Sequence, residues 1–156
     1  MKIRKTQMLK TIRTDSSNQH FIQLVKLLDA YLAEKDGAEH TYYDQFNKID
    51  KLKHVIIIYE NEKPIACGAI KEFDASTMEV KRMFTLPDYR GKGIASKVLN
   101  ELEEWSKELG YEKCVLETGR RQPEAIQLYK KNGYKIIPNY GQYVTMENSV
   151  CFEKVI

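Results

Sequence analysis

The fold of this chain is decided by one stretch of sequence, Val80-Lys81-Arg82-Met83-Phe84-Thr85-Leu86-Pro87-Asp88-Tyr89-Arg90-Gly91-Lys92-Gly93-Ile94-Ala95-Ser96. It begins with a strand pattern, turns at Pro87 and opens a helix inside a run of spaced glycines. Gly91 and Gly93 carry no Cβ, so the backbone N–H groups around Lys92 can point at one space. The stretch therefore predicts a strand, a tight turn and a helix in direct succession.

The start of that helix is a predicted anion site. The first amides of a helix have no acceptor within it, and the helix dipole adds about half a positive charge there. Such a turn suits a phosphate or a pyrophosphate. Arg90, Lys92 and Lys97 add positive charge nearby. The spacing is neither the dinucleotide fingerprint nor the P-loop, and a strand-to-helix turn without a ligand is the alternative interpretation.

Helices are predicted from apolar residues at helical spacing. The helix after the glycines is predicted over residues 91–109, because one stripe carries Ile94, Ala95, Val98, Leu99, Leu102, Trp105 and Leu109. Another is predicted to begin at Pro123 and to end at Asn132-Gly133. Upstream, a helix is predicted across residues 21–32, after N-cap candidates at 15–18 and before Gly37. A short helix is also predicted over residues 42–49.

Strands are predicted at residues 8–14, 54–59, 65–71, 78–86, 111–117, 134–137 and 150–155. Turn signals at residues 60–64 and 74–76 join the early strands and predict an antiparallel meander. In the second half strands alternate with helices, which predicts that strand 78–86 pairs in parallel with strand 111–117. The predicted fold class is therefore α+β with a mixed sheet.

Length and composition favour a single domain over residues 1–156 and disfavour several functional classes. The chain has 156 residues, of which 42% are hydrophobic, and a net charge of +3. That charge is too small to predict a nucleic-acid-binding protein. The longest apolar run, residues 55–59, is far shorter than the roughly 20 residues that a bilayer requires, and no leader pattern is evident, so a cytoplasmic location is expected. The three cysteines lack metal-site spacing, so no metal is expected.

Two motifs stand in a fixed order in the second half of the chain. The first is Arg90-Gly91-Lys92-Gly93-Ile94-Ala95, and the second is Ala125-Ile126-Gln127-Leu128-Tyr129-Lys130-Lys131-Asn132-Gly133-Tyr134. Together they resemble the GCN5-related N-acetyltransferase (GNAT) superfamily, whose acetyl-CoA signature is Q/R-x-x-G-x-G/A and whose later helix has the pattern A-x-x-L-Y-x-x-x-G-[FY]. The likeness runs from Ile65 to the C-terminus and indicates a small stand-alone member.

The resemblance implies a site for acetyl-CoA as cosubstrate. In this family two adjacent parallel strands splay apart and the pantetheine arm inserts between them, so a GNAT-like sheet with a splayed strand pair is expected. The implied cofactor-binding residues are Met83, Phe84, Thr85, Arg90, Gly91, Lys92, Gly93, Ile94, Ala95, Ser96 and Gln122. Relatives often carry Asn where this chain has Gln122, so that contact departs from the family pattern.

The implied reaction is direct transfer of the acetyl group from acetyl-CoA to a primary amine. Tyr129 aligns with the family tyrosine whose hydroxyl lies near the sulfur, and it is the implied general acid. A core aromatic on an amphipathic helix is the alternative interpretation of Tyr129. The backbone N–H of Met83 is implied as the donor to the developing oxyanion.

Glu79 is the implied catalytic base, because some relatives place a carboxylate there. Strand alternation predicts one face with Glu79, Lys81, Met83 and Thr85, and the opposite face with Val80, Arg82 and Phe84. A surface carboxylate paired with Lys81 or Arg82 is the alternative interpretation of Glu79. His40, which titrates near neutrality, and water stay open as bases.

The acceptor amine is left open by the sequence. Residues 32–48, Tyr140 and Tyr143 are expected to select it, and the acidic residues of that region favour a cationic amine: Glu34, Asp36, Glu39 and Asp44. Small metabolites, antibiotics, polyamines and peptide or protein amines all stay open, whereas neither nucleic acid nor a membrane is expected as a partner. The rival function is a non-catalytic acyl-CoA-binding or sensing module. A homodimer is left open.

Overall fold

The computed structural model describes residues 8–36 and 51–156, whose strands form one seven-stranded mixed sheet. In chain order the elements are β1 (Leu9–Thr14), α1 (Gln19–Asp36), β2 (His54–Glu60), β3 (Lys63–Asp74), β4 (Thr77–Thr85), α2 (Ile94–Glu108), β5 (Lys113–Gly119), α3 (Pro123–Lys131), β6 (Lys135–Ile137) and β7 (Ser149–Val155). The strand order is β1-β2-β3-β4-β5-β7-β6. The predicted α+β class is confirmed.

Some sequence predictions lie outside the described residues. These are the short helix over residues 42–49, the candidate base His40, the helix stop at Gly37 and most of the acceptor-selecting region 32–48, including Glu39 and Asp44. The assignment of residues 1–156 to one domain stays a prediction. None of the helices in the two described ranges is both long and apolar enough to cross a bilayer.

Strands β1 to β4 form the predicted antiparallel meander. The turn between β2 and β3 is shorter than predicted, because Lys63 already pairs with Glu60. Its two central residues, Asn61 and Glu62, have φ angles of 48° and 72°. Positive φ at both central residues is the mark of the hairpin turn whose twist matches that of the flanking strands. The first half of the sheet is therefore closed by tight local turns.

The helices cover both faces of the sheet and create two apolar clusters. Helix α1 packs on one face through Phe21, Leu24 and Val25, all of which are buried. Asn18 caps this helix, since its Oδ1 accepts hydrogen bonds from the backbone N–H groups of His20 (2.9 Å) and Phe21 (3.2 Å). Helices α2 and α3 share a cluster that includes Val98, Leu99, Leu102 and Tyr129 on the other face. The sheet is thus the middle of three layers.

Helix α2 begins at Ile94, three residues later than predicted. Gly91 and Gly93 have φ angles of 75° and 79°, which lie in the left-handed region and cannot continue a right-handed helix. Gly93 is the N-cap residue. Apolar periodicity does not report φ, so the sequence prediction extended the helix through the glycines. The residues concerned form the turn in front of the helix instead.

Strands β4 and β5 are parallel neighbours for only a short distance. Their pairs are Thr77 with Lys113, Met78 with Cys114 and Glu79 with Val115. Beyond that point β4 continues against β3 as far as Thr85, and β5 continues against β7 as far as Gly119, but β4 and β5 no longer pair with each other. The predicted parallel pair and its splay are confirmed. The gap leaves one backbone edge of each strand without a strand partner.

A β-bulge lies on β4 beside this gap. Ala69 pairs with Lys81 and Cys67 with Phe84, so Gly68 alone faces two residues, Arg82 and Met83. Arg82 has a φ of 58°, which is unusual for a residue with a side chain. A Cβ on Gly68 would lie 2.6 Å from Met83 Sδ. Glycine at this position therefore provides the room that the bulged strand needs.

The bulge reverses the side-chain alternation that the sequence predicted for β4. Met83 packs with Val80 in the cluster beneath α2, whereas Phe84 packs in the cluster beneath α1. The prediction that Met83 shares a face with Glu79 and Lys81 is wrong. Side chains alternate strictly between the two faces only when each residue has one partner on the neighbouring strand. The extra residue at the bulge moves the residues after it to the opposite face.

Candidate active site

A cavity of about 110 Å³ opens where β4 and β5 separate. Residues from both faces of the sheet line it: Leu28 belongs to the α1 cluster, while Val80 and Tyr129 belong to the cluster beneath α2 and α3. The gap therefore connects the two faces, so two molecules can approach each other through the sheet from opposite sides.

Four of the predicted site residues meet in this cavity. They are Glu79, Met83, Gln122 and Tyr129. Two other predicted residues of β4, Phe84 and Thr85, are buried but are not among the lining residues. The remaining predicted positions, residues 90–96, lie outside the cavity, in the turn and first helical turn after β4. The prediction thus combined two neighbouring places, a cleft within the sheet and a turn at the start of α2.

The turn before α2 presents open backbone. A Cβ built on Gly91 or on Gly93 would meet no atom within 4 Å, and no side chain caps the helix start at Gly93. Ile94 is buried and anchors the first helical turn in the core. Asn132 Nδ2 donates to Ser96 Oγ at 3.0 Å and ties this turn to the end of α3. A fixed turn with open amides fits a diphosphate group.

Arg90 packs between the end of β4 and α1, and its predicted contact with the cosubstrate stays a prediction. Its Nε donates to the carbonyl oxygen of Thr85 at 2.9 Å, and its guanidinium carbon lies 5.0 Å from the centre of the Tyr31 ring. The guanidinium group of Arg90 therefore links the end of β4 to α1. Lys92 is placed differently, with its Nζ 5.5 Å from the centre of the Tyr89 ring.

Tyr129 lies on α3 and is buried between the cavity and the core. Its ring centre is 5.9 Å from that of Tyr134 and 5.7 Å from that of Phe152. Its hydroxyl has no hydrogen-bond partner among residues 8–36 and 51–156. Burial, followed by the charge of Glu117, raises the pKa of Tyr129 well above its ordinary value. The phenol therefore keeps its proton throughout the neutral range.

Glu79 is buried at the point where the parallel pairing ends, with 8% of the residue exposed. The Tyr140 hydroxyl donates to its Oε2 at 2.7 Å, and Lys81 Nζ lies 3.7 Å from its Oε1. Burial lowers the pKa of Lys81, and the Glu79 carboxylate acts in the opposite direction. Glu79 is therefore not a surface carboxylate, although it does pair with Lys81 as the alternative interpretation expected; Arg82 pairs with Asp29 on α1 instead. The burial of Glu79 depends on packing against residues that are distant in the sequence, such as Tyr140, so no local pattern predicts it.

A second carboxylate, Glu117 of β5, also lines the cavity. It accepts a hydrogen bond of 2.7 Å from Ser149 Oγ on β7. Tyr143 contributes to the same lining, and its ring centre lies 5.8 Å from that of Tyr140. The C-terminal segment therefore closes one side of the cavity, and the selection of the acceptor by Tyr140 and Tyr143 stays a prediction.

The pairing of Arg82 with Asp29 was not predictable from the sequence. Its Nη1 donates to Asp29 Oδ1 at 2.7 Å, and the two residues are 53 positions apart. No local signal pairs them, and strand alternation placed Arg82 without knowledge of the bulge. The cavity thus contains two basic and two acidic side chains, Lys81 and Arg82 with Glu79 and Glu117.

The cysteines are not suited to nucleophilic chemistry. Cys67, Cys114 and Cys151 are all buried. Burial raises the pKa of Cys67 to about 12 and that of Cys151 to about 11. Since the thiolate is the nucleophilic form, these thiols are inert near neutral pH.

Comparisons with known proteins agree with this architecture. Residues 21–134 match the acetyltransferase (GNAT) family. A protein named IAA acetyltransferase from Azospirillum brasilense is 30% identical over 135 residues, which cover 85% of this chain and 88% of that protein. A structure from Klebsiella pneumoniae assigned to the acyl-CoA N-acyltransferases superposes with a TM-score of 0.79 at 26% identity and covers 95% of this chain and 97% of its own.

A more distant structure shares the fold as well. The PaiA N-acetyltransferase of Thermoplasma acidophilum, solved in complex with coenzyme A, has a TM-score of 0.69 at 18% identity, and the match covers 96% of this chain and 99% of that chain. The splayed parallel pair, the glycine turn and the family match over most of the chain point the same way. The chain is a member of the GNAT family, and it is an acyltransferase.

Proposed function

We propose that this acyltransferase moves an acetyl group from acetyl-CoA directly to a primary amine. The observation that carries the proposal is the cavity at the strand splay, where a buried carboxylate (Glu79) and a buried, protonated phenol (Tyr129) line one space. These are the two groups that amide formation from an amine and a thioester calls for, one to take a proton and one to give it. Family membership and the coenzyme A complex of the PaiA structure support the choice of cosubstrate.

The cosubstrate supplies an acetyl thioester, and the new C–N bond forms as the C–S bond breaks. Residues 91–96 would hold its diphosphate with the open amides of the glycine turn and the first turn of α2. The unpaired edge of β4 would accept the pantetheine arm as an added strand, and Gln122 would lie alongside. The backbone N–H of Met83 is the proposed donor to the thioester oxygen as it gains negative charge.

Side chains of the cavity can carry out both proton transfers of the reaction. Glu79 takes the proton that the attacking amine loses, directly or through water. Tyr129, which is protonated at neutral pH, donates its phenolic proton to the departing sulfur and regains a proton from solvent as Glu79 releases its own, so both side chains return to their starting states. Tyr140 is a positioning residue, because its hydroxyl bonds Glu79 Oε2 and fixes the direction of the carboxylate. Glu117 is the second carboxylate of the cavity and the alternative base.

The cosubstrate and the acceptor are expected to enter from opposite faces. The glycine turn lies at the start of α2, on the face where α2 and α3 pack. Leu28 and Leu32 of α1 line the cavity from the other side. The amine would therefore approach between α1 and the splayed strands, within reach of Glu79.

A free-thiol release assay tests the proposal. We expect thiol to appear above the rate of thioester hydrolysis with at least one member of a panel of amino acids, polyamines, aminoglycosides and peptides. Acetyl-CoA should also raise the melting temperature, since saturation at about 100 times Kd stabilises the native state by about 2.7 kcal/mol. Stabilisation without thiol release from any amine would favour the acyl-CoA-sensing alternative. No stabilisation at millimolar acetyl-CoA would remove the cosubstrate assignment.

Replacement of Gly93 by valine is expected to raise the Kd for acetyl-CoA about tenfold or more. The φ of 79° strains any β-branched residue, so the turn must move and its amides lose their common direction. Isothermal titration with acetyl-CoA measures the effect.

Gly110 offers the matched control for that variant. It follows α2 at the opposite end, has a φ of 91° and also has open space around a Cβ. Gly110→Val therefore imposes the same kind of strain away from the turn. Equal affinity losses in both variants would contradict the assignment of residues 91–96.

A further inference from the structure

Arg82 is the most unusual residue of the described chain. It lies in the left-handed backbone region, its side chain is only 3% exposed, and it lines the cavity. Buried charges and strained backbone are both costly, and strain of this kind concentrates at functional positions. The bulge that produces the strain also places this guanidinium at the cavity wall.

The guanidinium of Arg82 is incompletely satisfied. One of its five N–H donors, on Nη1, bonds Asp29, whereas its buried Nε has no partner within the described residues. An unsatisfied buried donor costs about 1–3 kcal/mol, and more when the group is charged. Asp29 takes one edge of the planar group and leaves the Nε edge for another acceptor. A second carboxylate is the ligand that fits that edge best, with two parallel hydrogen bonds.

The charges around Arg82 separate the acceptor classes that the sequence left open. A polyamine or an aminoglycoside would bring further ammonium groups into a cavity where Lys81 and Arg82 already match the charges of Glu79 and Glu117. An amine that also carries a carboxylate would place its amino end near Glu79 and its carboxylate on Arg82. Glu79 and Arg82 are three residues apart on β4, which is at most about 10 Å along the strand because the bulge shortens it, so an amino acid and its elongated analogues cover the relevant range.

We propose that the acceptor of this enzyme is an amine that carries a carboxylate, and that Arg82, oriented by Asp29, binds the carboxylate and selects this class. This inference rests on the proposed acetyl transfer and adds the acceptor class to it. The expectation from the acidic residues of region 32–48 was a cationic amine, and it did not include a carboxylate because Arg82 reaches the cavity wall at the bulge, which the sequence did not predict.

The test compares matched acceptors that differ only in the carboxyl group. Thiol release is measured with glycine, β-alanine, 4-aminobutyrate, 6-aminohexanoate, leucine and lysine, each beside its carboxamide. We expect at least one pair in which the carboxylate has a kcat/KM roughly tenfold higher, as a charge-assisted pair of hydrogen bonds supplies. In Arg82→Gln that preference should fall to near one through a higher KM, while the Kd for acetyl-CoA stays unchanged.

Arg13→Gln is the matched control, because Arg13 is also paired with a carboxylate, that of Glu108, far from the cavity. It should keep the preference of the wild type. Should Arg82→Gln fail to fold, Asp29→Asn takes its place: the amide oxygen can still accept from Nη1 and keep the guanidinium oriented, whereas removal of the competing negative charge should increase the preference for the carboxylate. An unchanged or lower preference in Asp29→Asn contradicts the inference.

The outcomes separate the inference from the proposed function. Thiol release with carboxamides equal to or better than carboxylates in every pair overturns the acceptor class and leaves acetyl transfer standing. A carboxylate preference that persists in Arg82→Gln overturns the role of Arg82. If no amine of the panel reacts, calorimetry measures binding of the same carboxylates to the CoA-bound wild type and to Arg82→Gln. Absence of binding to the wild type, or equal binding to both proteins, also overturns the inference.

Discussion

Replacement of Tyr129 by phenylalanine is expected to lower kcat about 100-fold to 1000-fold, the range that a general acid contributes. The variant removes only the hydroxyl, so the ring contacts with Tyr134 and Phe152 are kept. That hydroxyl has no partner within the described residues, so its loss should leave the melting temperature and the Kd for acetyl-CoA unchanged. Single-turnover thiol release under saturating acetyl-CoA measures the chemical step.

Tyr134→Phe is the control for this experiment. Tyr134 belongs to the same aromatic cluster, but its hydroxyl bonds Glu103 and it does not line the cavity. The Tyr134→Phe variant should therefore have a lower melting temperature but an unchanged kcat. If Tyr129→Phe kept a kcat within threefold of the wild type, Tyr129 would be the core aromatic of the alternative interpretation.

The pH dependence gives a second readout of Tyr129. Because burial and Glu117 raise its pKa, the phenol stays protonated above pH 10, where an ordinary tyrosine would begin to lose its proton. We therefore expect no loss of kcat on the alkaline side up to that pH. An alkaline limb near neutrality would have to come from another group.

Replacement of Glu79 by glutamine is expected to lower kcat/KM about 100-fold. The amide still accepts the Tyr140 hydrogen bond but cannot take a proton from the amine. The loss should be largest at neutral pH, where most of the amine is protonated, and smaller at pH 9 to 10, where free amine is abundant. Initial rates at several pH values measure it.

Glu103→Gln is the matched control, because Glu103 is also a buried carboxylate that accepts from a tyrosine and pairs with a lysine, Tyr134 and Lys154. It lies outside the cavity and should cost stability without the change in pH profile. Full activity in Glu79→Gln, together with a large loss in Glu117→Gln, would move the base to Glu117. Full activity in both variants would leave water or His40 as the base.

Much of the fold was predictable because its signals are local. These signals include the apolar stripe of α2, Pro123 at the start of α3 and the turn at Asn61. Each of them depends on residues that are close together in the sequence. Gln122, Tyr129, Glu79 and Met83 were predicted by motif and position, and they line one cavity. The helix start was missed by three residues because periodicity carries no information about the φ angles of Gly91 and Gly93.

The class of the fold, the place of the parallel pair and the glycine turn could all be predicted from the order and spacing of local patterns along the chain. The bulge at Arg82, the burial of Glu79 and the contacts of these residues with Asp29 and Tyr140 depend on the folded chain. Those partners are 53 and 61 positions away along the chain. Contacts over such distances form only when whole layers pack, so no local pattern records them, and they determine what the cavity can bind.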